Sequence, residues 1–290
     1  MPGGRLHYLD WGGTGPTLIL IHGLGDNPHA FDDLAPALTG QFRVVAYARR
    51  GHGLSSFKEG PFDTATLVGD LAAFMDVLQI KNAHLAGWSM GGNEITGMAG
   101  SHPERVGKII YLDAGYDWAD PAFAVALKTY PDNLSRPADA LKSLDTFREW
   151  QRRTYFSGVK DARRIEGYIR GLVEIQSDGS VRPLMSDSVS NQVNEALLTN
   201  HRDYLKVKAP ALAMYASTFV VTGYGDLERR RKTRLWEENY RRPFLDKSIS
   251  RIQREIPHVE IISVTGSHTD FFFNSREEIA SAIISFLTAR

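Results

Sequence analysis

The chain has 290 residues, near the upper size for one compact domain or a core carrying an insertion, and its 34 basic and 34 acidic side chains cancel. That balance leaves no global field to favour nucleic acid or an anionic membrane surface. The absence of cysteine removes disulfides, thiolate nucleophiles and zinc–thiolate sites together.

Taken in chain order, residues 5–11 alternate polar and apolar positions and end at Gly12-Gly13, the pattern of a half-buried strand closed by a turn. The opening MPGGRLHYLDWGG lacks the basic-then-apolar order of a secretion signal, and no apolar run reaches membrane-spanning length. The chain is therefore expected to be cytoplasmic. Residues 17–21 form a continuous apolar run suited to a strand buried on both faces, halted by His22-Gly23-Leu24-Gly25. A helical pattern covers 30–38, a second buried strand 42–48, and Arg49-Arg50-Gly51-His52-Gly53 follows. Residues 66–78 have helical spacing, 83–88 read as a strand, 91–102 as a helix stopped near Pro103, and 108–113 as another strand.

This rhythm predicts an α/β protein with a mostly parallel central sheet and helices on both faces. It breaks after Tyr116. Up to residue 207 the chain offers helical patterns, among them 138–156 and 161–175, and no clear buried strand. Residues 209–216 restore the sheet, a polar helical stretch runs over 226–255, and a strand at 259–264 precedes a helix at 276–287. The basic run at 228–234 is followed at once by Glu237 and Glu238 and reads as a solvated helix face. The expectation is a core of residues 1–115 and 208–290 with a helical lid, 116–207, inserted between core strands.

Ligands of parallel sheets collect beyond the carboxyl ends of the strands. Four chemically capable groups fall there: the His22 loop, Ser89, Asp113 and His268. Ser89 stands in LAGWSMGGN, residues 85–93. A serine hydroxyl is a poor nucleophile until a base takes its proton, and it has to project from the backbone to meet a substrate. A strand turning sharply into a helix provides that projection, and Gly87, Gly91 and Gly92 leave space for the turn. The bland alternative is an ordinary turn. His268 follows the last strand and suits a general base, where a lone loop histidine is more often a plain surface residue. An acyl-transfer intermediate needs converging donors for its oxyanion, and the backbone N–H groups of Leu24 and Met90 are the candidates.

Together, His22-Gly23, Arg50-Gly51-His52-Gly53-Leu54-Ser55, Gly87-Trp88-Ser89-Met90-Gly91-Gly92 and Gly266-Ser267-His268 resemble the α/β-hydrolase superfamily, over roughly residues 5–115 and 208–290. The resemblance implies a Ser–His–acid triad, no cofactor, and a lid that shapes the pocket for a small-molecule acyl substrate. A serine nucleophile argues against the aspartate-dependent epoxide hydrolases and haloalkane dehalogenases of the same superfamily. The sequence departs from the pattern at the acid. In most of the family the carboxylate lies just beyond the penultimate core strand, but residues 217–225 contain none. Asp226 comes next, where an N-cap role explains it. Asp113 is favoured as the acid, with Asp226, Asp117 and Asp270 as alternatives.

The reading is an esterase-like serine hydrolase, with same-fold C–C hydrolysis, perhydrolase or acyltransferase chemistry beside it. A ligand-binding member without turnover is the rival from another class, kept in play by the missing acid. Trp88, Asn27, Trp118 and Phe219 are the pocket liners expected by position. Arg49 and Arg50 fit an anion clamp or, the favoured reading, a scaffold loop. No metal-ligand spacing and no phosphate-cradling glycine motif stands out.

Overall fold

Short runs of Val, Ile, Leu and Ala, each too brief for a helix, supply the central strands. Pairing them in parallel requires the chain to cross back over the sheet each time. The computed structural model describes residues 4–56, 60–131, 135–219 and 227–289. Its first strands are β1 (Tyr8–Gly12), β2 (Thr17–Ile21), β3 (Arg43–Tyr47), β4 (Ala83–Trp88) and β5 (Val106–Leu112), with helices α1 (Thr64–Val77) and α2 (Gly91–Ser101) among them. Between β5 and the next sheet strand come α3 (Pro121–Thr129), α4 (Leu144–Thr154), α5 (Glu166–Arg170), the hairpin of β6 (Val173–Ile175) and β7 (Val181–Pro183), and α6 (Asp187–Thr199). The sheet resumes with β8 (Ala211–Thr218), then α7 (Leu227–Trp236), α8 (Arg242–Glu255), β9 (Glu260–Ser267), α9 (Phe271–Asn274) and α10 (Arg276–Thr288).

The seven-stranded sheet has the order β1-β3-β2-β4-β5-β8-β9, and only the β1–β3 pair is antiparallel. Alternation of side chains along each strand divides the core in two. Ile19 and Ile21 of β2 face a cluster built by α1, α2 and α8, including Leu71, Ile95 and Ile252. Leu18 and Leu20 face the opposite cluster, including Phe31, Phe272 and Ile283. Both faces are thus covered, as the apolar strands require.

Three stretches differ from the sequence reading. Residues 30–38 form no α-helix. Two 3-10 turns, Pro28–Phe31 and Ala35–Ala37, take their place, with N–H groups bonded three residues back. Pro36 has no N–H to return to the preceding turn, which breaks the expected ladder. Helix expected to residue 175 ends at Arg170, and the β6–β7 hairpin follows around Asp178-Gly179, with Gly179 at φ 84°. An Asp-Gly hairpin signal was there to be read. The stretch 226–255 is interrupted by a π-helical turn, Glu237–Arg241, just before Pro243, which cannot donate to the turn behind it.

Candidate active site

The chain leaves β4 at Trp88 and enters α2 at Gly91, so Ser89 and Met90 must make the whole turn. Ser89 takes φ 53°, a left-handed conformation that costs a non-glycine residue free energy and holds only where its surroundings fix it. They do. Its N–H donates to Leu112 O at 3.3 Å, and its own carbonyl accepts from Gly92 N–H at 3.1 Å. Arg202 and the Trp118 indole donate to the same carbonyl at 3.3 and 3.4 Å. The helix passes so close that a Cβ at Gly87 would sit 2.5 Å from Gly91 C and O, and one at Gly91 2.4 Å from Ile21 O.

Asp113 follows β5 with φ 44° and His268 follows β9. The His268 Nε2 lies 3.0 Å from Ser89 Oγ, and its Nδ1 lies 2.6 Å from Asp113 Oδ2. Burial alone would raise the Asp113 carboxyl, but His268, Arg241 and the Tyr116 hydroxyl outweigh it and hold it below the ordinary carboxylate range. A carboxylate only accepts, so Nδ1 carries the imidazole proton and Nε2 is left to accept from the Ser89 hydroxyl. Asp113 Oδ1 accepts from Tyr116 OH at 2.7 Å and from Ala216 N–H at 3.0 Å. The His268 ring is fixed on its own account. Its N–H donates to Thr218 O and Phe219 O, its carbonyl accepts from Trp88 Nε1 at 3.0 Å, and Phe219 stacks on it at 4.9 Å.

The other acids lie elsewhere. Asp117 bonds Arg251 and His201, and Asp270 accepts from the Ser267 N–H and hydroxyl. Asp226 lies outside the described residues. His22 is fully buried, accepts from Arg49 N–H at 3.0 Å, and is kept neutral first by that burial and then by Arg49. Arg49 and Arg50 are spoken for as scaffold: Arg49 bonds Glu94, His22 O and Gly23 O, and Arg50 bonds Asp70.

A cavity of about 320 Å³ opens at Ser89 and His268. Leu24 and Trp88 line it, while Met90 is packed in the core behind the turn. Asn27, Trp118 and Phe219, expected as liners, are not among its lining residues. Asn27 is turned inward, capping the Pro28–Phe31 turn and donating to Tyr168 O at 3.0 Å. Trp118 packs edge-on to Phe123 and to the His268 ring, and Phe219 shares that apolar cluster around a separate small pocket. The walls come largely from the segment between β5 and β8, with Phe147, Trp150, Tyr155, Phe156 and Tyr168. Sequence reading missed these aromatic groups, which carry no spacing signal. It also missed Arg202 and Arg241, which reach the site from distant segments, and Tyr116, which stands three residues after Asp113 and donates to it. Asp26 was missed too, although it directly follows the glycine loop. Its carboxyl accepts from Tyr168 OH and is pushed up to about 7 by burial, against the pull of Tyr168, His268 and Arg49.

This sheet and this turn are those of a known class. The family model for the alpha/beta hydrolase fold matches residues 16–276, and the chain belongs to that family. It is similar to the pimeloyl-acyl-carrier protein methyl ester esterase of Neisseria meningitidis, at 38% identity over 121 residues, 42% of this chain and 43% of that protein. It is also similar to the serine hydrolase-like protein of Danio rerio, 35% identical over 116 residues, 39% of this chain and 36% of that protein. The matched region thus spans less than half the length of these curated relatives. Among solved structures it resembles E-2-(acetamidomethylene)succinate hydrolase, with a TM-score of 0.74 and 21% identity over 99% of this chain and 97% of that one. A marine microorganism esterase gives a TM-score of 0.69 and 19% identity over 98% of this chain and 100% of that one. At such identities the likeness is one of fold. Among the described residues no helix is long and apolar enough to cross a membrane.

Proposed function

We propose that the protein is a serine hydrolase that cleaves a carboxylic ester or related acyl bond through an acyl-enzyme intermediate. Ser89 Oγ attacks the acyl carbon while His268 Nε2 takes its proton. Asp113 orients the ring and stabilises the imidazolium without itself accepting the proton. The carbonyl oxygen becomes an oxyanion, received by the backbone N–H groups of Leu24 and Met90, the latter at the positive end of α2. His268 then returns the proton to the departing alkoxide. Water, deprotonated by the same ring, attacks the acyl carbon and releases the acid and free Ser89.

The observation that carries this reading is the unbroken chain of contacts from Ser89 Oγ to His268, 3.0 Å, and from His268 to Asp113, 2.6 Å. An acid in place behind the histidine weighs against the ligand-binding rival. The similarity to a methyl ester esterase supports an ester as the bond. We place the boundary of a lid at residues 116–207, because that segment supplies most of the aromatic wall over Ser89, and read 1–115 with 208–290 as the core.

The test is hydrolysis of a graded acyl-chain ester panel by the wild type and by Ser89→Ala. Turnover that falls about 10³-fold or more in the variant supports the proposal. Equal turnover by both proteins overturns it.

A further inference from the structure

The cavity beside Ser89 is walled in large part by aromatic rings, among them Phe147, Trp150, Tyr155 and Tyr168, and one carboxyl group stands with them. Asp26 follows the glycine loop after β2, lines the cavity and is partly exposed. Its two oxygens differ. Oδ1 accepts from the Tyr168 hydroxyl. Oδ2 accepts from none of the described residues and is not among the polar atoms shut away without a partner, so it is open to the cavity. It lies 2.5 Å from the place a Cβ on Gly23 would occupy, and that place is 3.2 Å from the Ser89 Cβ and 3.5 Å from the Trp88 ring. The open oxygen therefore stands within a few ångströms of the nucleophile.

The groups around this carboxyl set its charge. Tyr168 of α5 and Tyr155 beyond α4 face it as phenols, while His268 after β9 and Arg49 after β3 favour its ionised form. Burial opposes that form and carries the carboxyl to about 7. Arg136 also lines the cavity, but it pairs with Asp187 at 3.5 Å. When Asp26 is protonated, Oδ1 still accepts from Tyr168 and the proton falls to Oδ2; when it is ionised, Oδ2 is a negative acceptor facing the cavity. A carboxylate held out of bulk water without a counter-charge is unfavourable, and a substrate that brings a cation offsets this. The aromatic rings attract the same cation over their faces. A plain alkyl ester touches the rings and leaves the charge alone.

We propose that Asp26 is a specificity-determining residue, whose open oxygen acts with the aromatic wall to select esters that carry an ammonium group within a few bonds of the scissile carbonyl. The substrate class is therefore a cationic ester rather than a plain alkyl one. This rests on the acyl-hydrolase reading of Ser89. The selection strengthens as the pH rises through the ionisation of Asp26.

The test uses pairs of esters matched in shape, in which a permanently charged nitrogen replaces a carbon. On the acyl side these are methyl 4-(trimethylammonio)butanoate and methyl 5,5-dimethylhexanoate. On the alcohol side they are 2-(trimethylammonio)ethyl butanoate and 3,3-dimethylbutyl butanoate. The readout is the kcat/KM ratio, charged over neutral, at about pH 5.5 and about pH 8.5 for the wild type and for Asp26→Asn. His268 has to be neutral for either ester to react, so its own titration divides out of the ratio, as does a general loss of structure. In at least one pair the wild-type ratio should rise by about fivefold or more between the two pH values, and in Asp26→Asn it should stay within about twofold. A wild-type ratio that stays flat in both pairs, or a rise that survives in Asp26→Asn, overturns the subsite while leaving the ester reading intact. If no ester is hydrolysed, the acyl-hydrolase reading fails by itself. The subsite is then judged by titrating the same esters against Ser89→Ala, following the fluorescence of Trp88 and Trp150 in the cavity wall. Tighter binding of a charged ester at the higher pH that is lost in Ser89→Ala/Asp26→Asn supports it, and equal affinities contradict it.

Discussion

The Asp113 carboxylate and the His268 ring meet at 2.6 Å although Asp113 follows β5, His268 follows β9, and β8 runs between those strands. The carboxylate reaches across the end of β8 and accepts the Ala216 N–H of that strand on its other oxygen. Asp113 takes a left-handed backbone, φ 44°, where it makes these contacts. Asp113→Asn keeps the shape but offers an amide where the ring needs an acceptor. We expect kcat to fall by about 10³-fold or more in a protein of unchanged fold. Asp226→Asn should change it by less than about threefold. Steady-state kinetics on both variants decide the matter, and the reverse ranking would reassign the acid.

Asp26 gives stability a pH dependence. Its carboxyl moves from the ordinary 3.8 to about 7 in the folded chain, chiefly through burial. Between those pH values the folded state holds a proton that the unfolded state has released, so stability falls as the pH rises from about 4 to about 7. Asp26→Asn removes the ionisation and keeps an acceptor for Tyr168. It should raise Tm by about 2–5 °C at pH 8 and by much less at pH 4. Thermal melts across that range check the sign. A variant that loses Tm at pH 8 contradicts the account.

The turn at Ser89 depends on the absence of a side chain at residue 91. A methyl group there would press 2.4 Å from the backbone oxygen of Ile21, which ends β2 and is paired on both sides by β3 and β4, so it cannot retreat cheaply. Gly91→Ala should cost about 2–4 kcal/mol of stability, read from urea unfolding. Activity should fall as well, because the groove between α2 and β2 sets where Ser89 projects.

Arg49 and Glu94 form a fully buried pair with the Tyr47 hydroxyl as a third member. Removing one partner leaves the other charge uncompensated, which is far worse than never having the pair. Arg49→Met should destabilise the fold by about 3–5 kcal/mol in urea. The paired change Arg49→Met with Glu94→Leu should recover much of that loss.

The fold was legible because its signals were local. Buried parallel strands read as continuous apolar runs, and the glycines around Ser89 mark a turn whatever surrounds them. Ser89, His268 and Asp113, which the structure brings together, each follow a strand whose end was visible in the sequence. What escaped depends on contacts between distant segments. Trp118 and Phe219 were expected in the pocket by position, yet their rings contact His268 from an apolar cluster that does not line the cavity. Asn27 was spent on capping a turn, a use that Asn27-Pro28 already hinted at. The aromatic wall comes from a region whose helices could be found from spacing while their packing could not. Pro36 and Pro243 show that one missing N–H redirects a segment whose apolar spacing still looks helical.

The central claim is that Ser89 is a nucleophile activated through His268 and Asp113. It is tested most directly by exposing the protein to a fluorophosphonate probe and recording intact mass and the labelled peptide. The account predicts one adduct, on Ser89, absent in Ser89→Ala and formed far more slowly in His268→Ala and Asp113→Asn. A folded wild-type protein that takes no adduct, or takes it on another residue, would contradict it.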